Sequence, residues 1–369
     1  MPLRPIATAG LLAALAVLLY GFGLGATPLT PAETIFNTQA QSIRVGSLPV
    51  FFHAQGEHWL QPIAVYANAA VRAAGGGAMS GRIASSIAGA VSVGLIFLIA
   101  HLVTRRVWVG IAAALILMLT PAHWDFARTG TDAIFPVPLV LLWLLNTLRF
   151  FERDSIRSLA AAAVALGLSV YSHPAAPLTA MFLWPYAIFV ARRRNRIRLA
   201  IATVIFAATW LPAVVWFGRH FETYPDTFGR WVVLAAHVRN PIDLWSAFIN
   251  PQTLGIRAAL YWGFWDPSWL VFGPQASAPL LWWTAPLIAL GAYRCRTKLQ
   301  DSTAALLFGV ALLIPLAGCT FGVPLYIASA AAILPVLALF SGLGGEQIAI
   351  LLHQAVERAP ADAETPGGG

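Results

Sequence analysis

The sequence predicts an all-α polytopic membrane protein, on three observations. Hydrophobic residues make up 59% of the chain against 10% charged, the mean hydropathy is +0.73, and the apolar residues fall into runs of bilayer length. Ordinary globular chains carry about 25% charged residues, so a soluble enzyme, a DNA-binding domain and a disulfide scaffold are excluded as classes. The formal net charge of +8 does not point to nucleic acid, because the 22 Arg and the single Lys298 are spread between hydrophobic runs as membrane-protein loop charges are. Cys295 stands in an Arg-rich loop and Cys319 at the end of an apolar segment, a pattern that builds neither a disulfide nor a metal site.

An apolar run of about 20 residues spans a bilayer core. On that ruler about ten helices are expected, over 6–25, 81–103, 107–123, 133–150, 157–173, 175–191, 198–217, 278–293, 303–319 and 322–343. The first follows a lone Arg4 and ends in small residues, which also suits a signal peptide; with no clean A-x-A site it is read as a retained helix. With the N-terminus in the cytoplasm, 15 of the cationic residues fall inside, most densely in RRRNRIR at 192–198, and 8 fall outside. The positive-inside rule therefore predicts cytoplasmic termini in a bacterial-type inner (plasma) membrane.

Two outer loops are long. The first, 26–80, contains two expected juxtamembrane helices: Glu33 to Val45, capped by Thr30 with Pro31 at its first position, and Leu60 to Ala74, ended by Gly75-Gly76-Gly77. The second, 218–277, carries Phe221, Tyr224, Trp231, Trp245, Trp262, Trp269 and other aromatics suited to the headgroup level. The expected organisation is a catalytic transmembrane module over 1–217, the aromatic interfacial loop over 218–277, C-terminal transmembrane helices over 278–343 and a cytoplasmic disordered tail over 344–369. No internal repeat of the transporter kind is present.

Glu33, Glu57, Asp125 and Asp132, with His53, His58, His123 and His173, all fall on the outer side of this topology, so the functional face is expected to point outward. Neither G-x-x-x-x-G-K-[ST] nor G-x-G-x-x-G stands in the inner loops, which excludes the usual nucleotide-binding signatures there. The first outer loop runs from TPAETIFNTQAQSIR through FFHAQGEHWLQPIAVYANAAVRAAGG to Arg82, and the loop after the third helix reads TPAHWDFARTGTDAIF. This order of an outer acid opening a juxtamembrane helix, a Gly-containing loop, a Pro-anchored second helix, a small-residue turn and an Arg resembles the GT-C superfamily of integral-membrane glycosyltransferases. It is most similar to the branch of protein O-mannosyltransferases and the lipid A aminoarabinose transferase, over roughly the first 190 residues. PAHWDFARTG and GLSVYSHPAAPL match that branch's later motifs, with a weaker echo in YWGFWDPSWLVFGP at 261–274.

The resemblance implies transfer of a sugar from a polyprenyl-phosphate carrier to a glycan, lipid or protein acceptor on the extracytoplasmic face. It departs from the family at two positions. Ala32-Glu33 stands where an Asp-Glu pair supplies the acceptor-activating Asp, and Gln61-Pro62 stands where a Lys-Pro pair meets phosphate.

Such a transfer needs a carboxylate for the acceptor proton, donors for the phosphate leaving group and a groove for the lipid. The candidate catalytic acids are Glu33, Asp132 and Glu57. Arg82 and Arg128, whose guanidinium forks fit phosphate, and Gln61 are the candidate phosphate contacts. His58 and His173 are candidate substrate contacts. Each has a structural alternative: Glu33 as a first-turn acid on the helix dipole, Arg128 and Asp132 as a local pair four residues apart, Arg82 as an interfacial anchor. No cofactor and no dedicated metal are predicted, since His53 and His58 are five apart in a loop and no H-x-x-x-H occurs on one helix. A few acids could hold Mg²⁺ at the phosphate through water, but no such site is predicted. The rival readings are a catalytically inactive member that binds the carrier as an assembly partner, and a lipid-linked sugar transporter, which the near absence of mid-helix charge disfavours.

Overall fold

The computed structural model describes residues 3–43, 48–54, 59–220, 251–273, 278–321 and 327–358. Its helices among these residues are α1 (Leu3–Gly21), α2 (Pro31–Ser42), α3 (Pro62–Val71), α4 (Ser80–Thr104), α5 (Val107–Leu119), α6 (Pro121–Arg128), α7 (Pro136–Arg153), α8 (Ile156–Ser169), α9 (Ala176–Val190), α10 (Arg196–His220), α11 (Pro251–Phe264), α12 (Thr284–Lys298), α13 (Asp301–Phe321) and α14 (Leu334–Arg358). The one sheet among them is a two-residue hairpin that pairs Phe52 with Leu60 and His53 with Trp59, too short to be visible as period-two alternation.

Each of the ten expected segments contains a helix, and the protein is an all-α polytopic membrane protein. Five helical stretches are long and apolar enough to cross a membrane: Arg4–Gly21, Pro62–Thr104, Arg196–His220, Asp301–Cys319 and Ile327–Glu357. The pair α5 and α6 adds a sixth if counted as one broken span, bent by 65°. Pro121 explains the bend: it has no N–H to continue the helix and forces Thr120 before it into extended backbone at φ −64°, ψ 120°. Helices α8, α9 and α12 have only 14, 15 and 15 residues. At 1.5 Å per residue these reach about 21–23 Å, short of the roughly 30 Å core. Apolar windows overcounted span length here because apolar residues also fill the turns between helices.

Two boundaries are corrected. The region over 218–277 is not all loop, since α10 continues to His220, α11 occupies Pro251–Phe264 and a π-turn covers Ser268–Phe272; its aromatics between 221 and 250 lie outside the described residues. The tail expected from 344 is helical to Arg358, because Ile348, Leu351, Leu352 and Val356 extend the apolar face of α14; only 359–369 lie beyond the description.

Helix α4 is the hub, contacting α1, α3, α5, α6 and α7, while α5 joins it to α14 and α14 to α12. The first helix is part of the core: Ala16 and Tyr20 are fully buried, and α1 lies close enough that a Cβ on Gly94 of α4 would sit 3.2 Å from the Ala9 carbonyl oxygen. Small residues let these backbones approach, as packing within lipid requires. The tightest crossing is α12 against α14, where a Cβ on Gly291 would overlap the Phe340 carbonyl oxygen and one on Gly344 would overlap that of Leu287. Gly291→Val is therefore expected to force the two helices apart and lower the melting temperature in detergent by several degrees, equivalent to about 1–3 kcal/mol of overpacking. An unchanged melting curve would show that this crossing does not bear on stability.

The cationic residues expected together gather at one end of the bundle. There Arg105 pairs with Glu152, Arg198 with Asp154, and Arg106 and Arg294 both bind the buried Glu346, at 2.9 and 2.8 Å. The start of α4, the juxtamembrane helices α2 and α3, and the turns after α6 and α8 form the opposite end.

Candidate functional site

Helix α2 opens with a reciprocal cap, as Thr30-Pro31-Ala32-Glu33 predicts. The Glu33 amide donates to Thr30 Oγ1 at 3.3 Å and the Thr30 amide to Glu33 Oε2 at 2.8 Å. The same carboxylate, 1% exposed, binds Arg82 of α4 through both oxygens: Nε to Oε1 at 2.6 Å and Nη2 to Oε2 at 2.8 Å. Oε1 also accepts from the Gly130 amide at 2.9 Å. Arg82 in turn donates from Nη1 to the carbonyls of Leu24 and Thr27 and to Thr27 Oγ1, and from Nη2 to the Pro28 carbonyl. Its five N–H donors are thus all engaged. Glu33 and Arg82 form one clamp that ties the segment after α1, the start of α2, the start of α4 and the turn after α6.

This bears on two expected roles. Three hydrogen-bond donors hold the Glu33 carboxyl down to about 2 against the penalty of burial, which makes it a weak base. Arg82 has no donor left for phosphate unless the clamp opens. The geometry gives both residues a positioning task first. Gly130 is required at the turn for space, since a Cβ there would meet the backbone of Gly81 and Arg82 at 3.0 Å.

Beside the clamp runs a polar string that sequence reasoning missed. Ser80 Oγ donates to Asn68 Oδ1 at 2.5 Å, Asn68 Nδ2 to Asn37 Oδ1 at 2.8 Å, and Asn37 Nδ2 to the Ala78 carbonyl at 3.0 Å. All three side chains are buried. The available signal was two asparagines on otherwise apolar helical faces, α2 and α3, which need partners when buried.

Asp132 lies in the turn between α6 and α7, two residues beyond Gly130, and His173 in the turn between α8 and α9. The two interact electrostatically. Burial pushes the Asp132 carboxyl up, opposed by His173, and pushes His173 down, opposed by Asp132. The Ala175 amide donates to His173 Nδ1 at 3.1 Å, which fixes the ring with its proton on Nε2 when neutral. The Ile63 amide donates to the Tyr171 carbonyl at 3.1 Å, joining the start of α3 to this turn. Gln61, the residue before α3, is 6% exposed, and its Oε1 has no hydrogen-bond partner among the described residues.

Arg128 is not paired with Asp132. Its Nη1 donates to the carbonyls of Tyr20 and Phe22, and its guanidinium lies 5.2 Å over the Trp124 ring. It stands at an apolar crevice of about 350 Å³ formed by Leu15, Leu18, Leu19, Phe22 and Trp124. Glu57 and His58 lie outside the described residues. Among the described residues no three His, Cys, Asp or Glu side chains gather at one point.

Residues 62–216 match the family described as Dolichyl-phosphate-mannose-protein mannosyltransferase. That range takes in Arg82, Arg128, Asp132 and His173 and excludes Glu33. The fold is similar to ArnT from Cupriavidus metallidurans in a crystal structure bound to undecaprenyl phosphate, with a TM-score of 0.62, 15% identity, and 95% of this chain and 64% of that chain covered. It is similar to the same protein in the apo state, with a TM-score of 0.60, 14% identity, and 95% and 63% covered. This chain therefore spans less than two thirds of the length of that protein. No curated protein matches. The GT-C resemblance read in the sequence is thus found independently by a family match and by a shared fold.

Proposed function

We propose that this chain is a membrane glycosyltransferase that moves a sugar from a polyprenyl-phosphate carrier to an acceptor hydroxyl or amine on the extracytoplasmic face. The observation that carries the reading is the fold, shared over 95% of the chain with a protein that binds undecaprenyl phosphate. The end bearing α2, α3, Asp132 and His173 is the active end, and the arginine end faces the cytoplasm with both termini. The acceptor atom attacks the anomeric carbon, the bond from that carbon to the phosphate oxygen breaks, and the electron pair leaves with the polyprenyl phosphate. Asp132 takes the acceptor's proton. Of the two described candidate acids it is the one that burial leaves more basic, whereas at Glu33 the donors Arg82, Gly130 and Thr30 outweigh burial. His173 orients Asp132, Gln61 and Arg128 contact the phosphate, and the clamp of Glu33 and Arg82 fixes the turn from which Asp132 projects. His58 and Glu57 remain candidates for acceptor contact.

A second reading is favoured by the engaged state of Glu33 and by Ala32 beside it: a member without catalysis that binds the lipid-linked sugar as an assembly partner. One experiment separates the two. Purified protein in lipid is given radiolabelled polyprenyl-phosphate sugars with membrane extract as acceptor, and both bound donor and transferred label are scored. Transfer is the expected result; donor retention with no transfer supports the binding protein, and neither donor binding nor transfer overturns both.

A further inference from the structure

We propose that the arginine end carries a phospholipid site, separate from the carrier site, in which Arg105 and Lys298 hold the phosphate of a headgroup above an apolar floor. A cavity of about 190 Å³ opens there between the ends of α4 and α7 and the turn joining α12 to α13. That is roughly six times the ~30 Å³ share of one liquid water, room for a phosphate and the start of a glycerol. Its floor is Leu102, Val103, Leu148, Phe151 and Leu299. Five of the ten lining residues are apolar and five polar, the mixed lining of an amphiphile's site and not of a free ion's.

The rim supplies the charge. Arg105 commits one terminal amine to Glu152 and shows no other side-chain hydrogen bond among the described residues. The Lys298 ammonium makes no hydrogen bond or ion pair among the described residues and is exposed. Its neighbours differ, because Arg106 and Arg294 are held on Glu346 and Arg198 on Asp154. Gln300 and Thr303 bring the first turn of the 21-residue α13 to the same rim, where N–H groups of a helix start lack intrahelical partners. Glu152, which pairs with Arg105, also lines the cavity, and Asp301 in the first turn of α13 pairs outward with Arg296. Two cations against the one lining carboxylate, over an apolar floor at the ends of membrane helices, suit a lipid phosphate at headgroup depth.

Native mass spectrometry of the delipidated full chain titrated with phosphatidylglycerol tests this. One lipid is expected to bind more tightly than the rest, and Lys298→Gln combined with Arg105→Gln is expected to weaken it at least tenfold. Because Arg105 sits at φ +61° and its replacement could disturb the α4 end, Leu148→Trp serves as a second variant that fills the floor and leaves the charges in place. It should also expel the lipid. Diacylglycerol, which lacks the phosphate, should not be retained. Undiminished lipid binding in both variants, equal retention of diacylglycerol, or displacement of the lipid by inorganic phosphate would each overturn the assignment.

Discussion

Asp132→Asn is expected to reduce sugar transfer by about 10²–10⁴-fold, the usual worth of a positioned general base, while donor binding and melting temperature stay near wild type. Asparagine keeps the shape and hydrogen-bonding reach of the side chain and removes only its capacity to take a proton. The loss should therefore fall on kcat with little change in KM for the donor. The wild-type pH profile carries the same information. A base acts only when deprotonated, and burial holds Asp132 above the ordinary carboxylate range, so transfer should fall as the pH drops through a pKa higher than that of an exposed aspartate. His173→Ala should move that midpoint, since the two groups influence each other. Near wild-type transfer by Asp132→Asn would remove it as the base and turn attention to Glu57.

The second large effect is on stability. Arg82→Ala strips a buried carboxylate of its partner, which typically costs about 3–5 kcal/mol, and leaves the Leu24, Thr27 and Pro28 carbonyls without their donor as well. A large drop in melting temperature in detergent, or loss of folded protein from the membrane, is the expected outcome. Removing both charges, as in Glu33→Leu with Arg82→Met, should recover little, because the Thr30 and Gly130 amides then lose their acceptor too. Full recovery in the double variant would show that the clamp is only an ion pair.

Titration gives an independent check. The Glu33 carboxyl falls from its usual 4.5 to about 2 in the folded protein, so its stabilising effect is complete above pH 4.5 and is lost as the pH falls through 2. By linkage the full effect is about 3 kcal/mol. Melting temperatures should be flat in this respect from pH 7 to 5 and decline below pH 4.5 in wild type, with a shallower decline in Glu33→Gln.

How much of this was legible in the sequence depended on range. Local chemistry was readable: Thr30, Pro31 and Glu33 announced the start of α2, Pro62 the start of α3, and the three glycines the turn before α4. The grouping of the cations was readable too, because arginines between apolar runs mark the ends of helices whatever the packing. Pairing across the fold was not. Glu33 and Arg82 were both singled out, but as base and phosphate ligand, since nothing in the order of residues says that side chains 49 positions apart face each other. Asn37, Asn68 and Ser80 went unnoticed for the same reason: a buried polar string is defined by its partners, and those lie on three helices.

The clamp also sets an order of events during synthesis. The acceptors of Arg82 at Leu24, Thr27 and Pro28 and the Glu33 carboxylate all precede it in the chain, so they are in place when Arg82 leaves the ribosome. Gly130, whose amide completes the shell around Glu33, follows Arg82 by 48 residues. At about 5–20 residues per second, that interval is roughly 2–10 s. During it the N-terminal helices are held by the Glu33–Arg82 pair and the Asn37–Asn68–Ser80 hydrogen bonds, and the turn that carries Asp132 arrives as the closing piece.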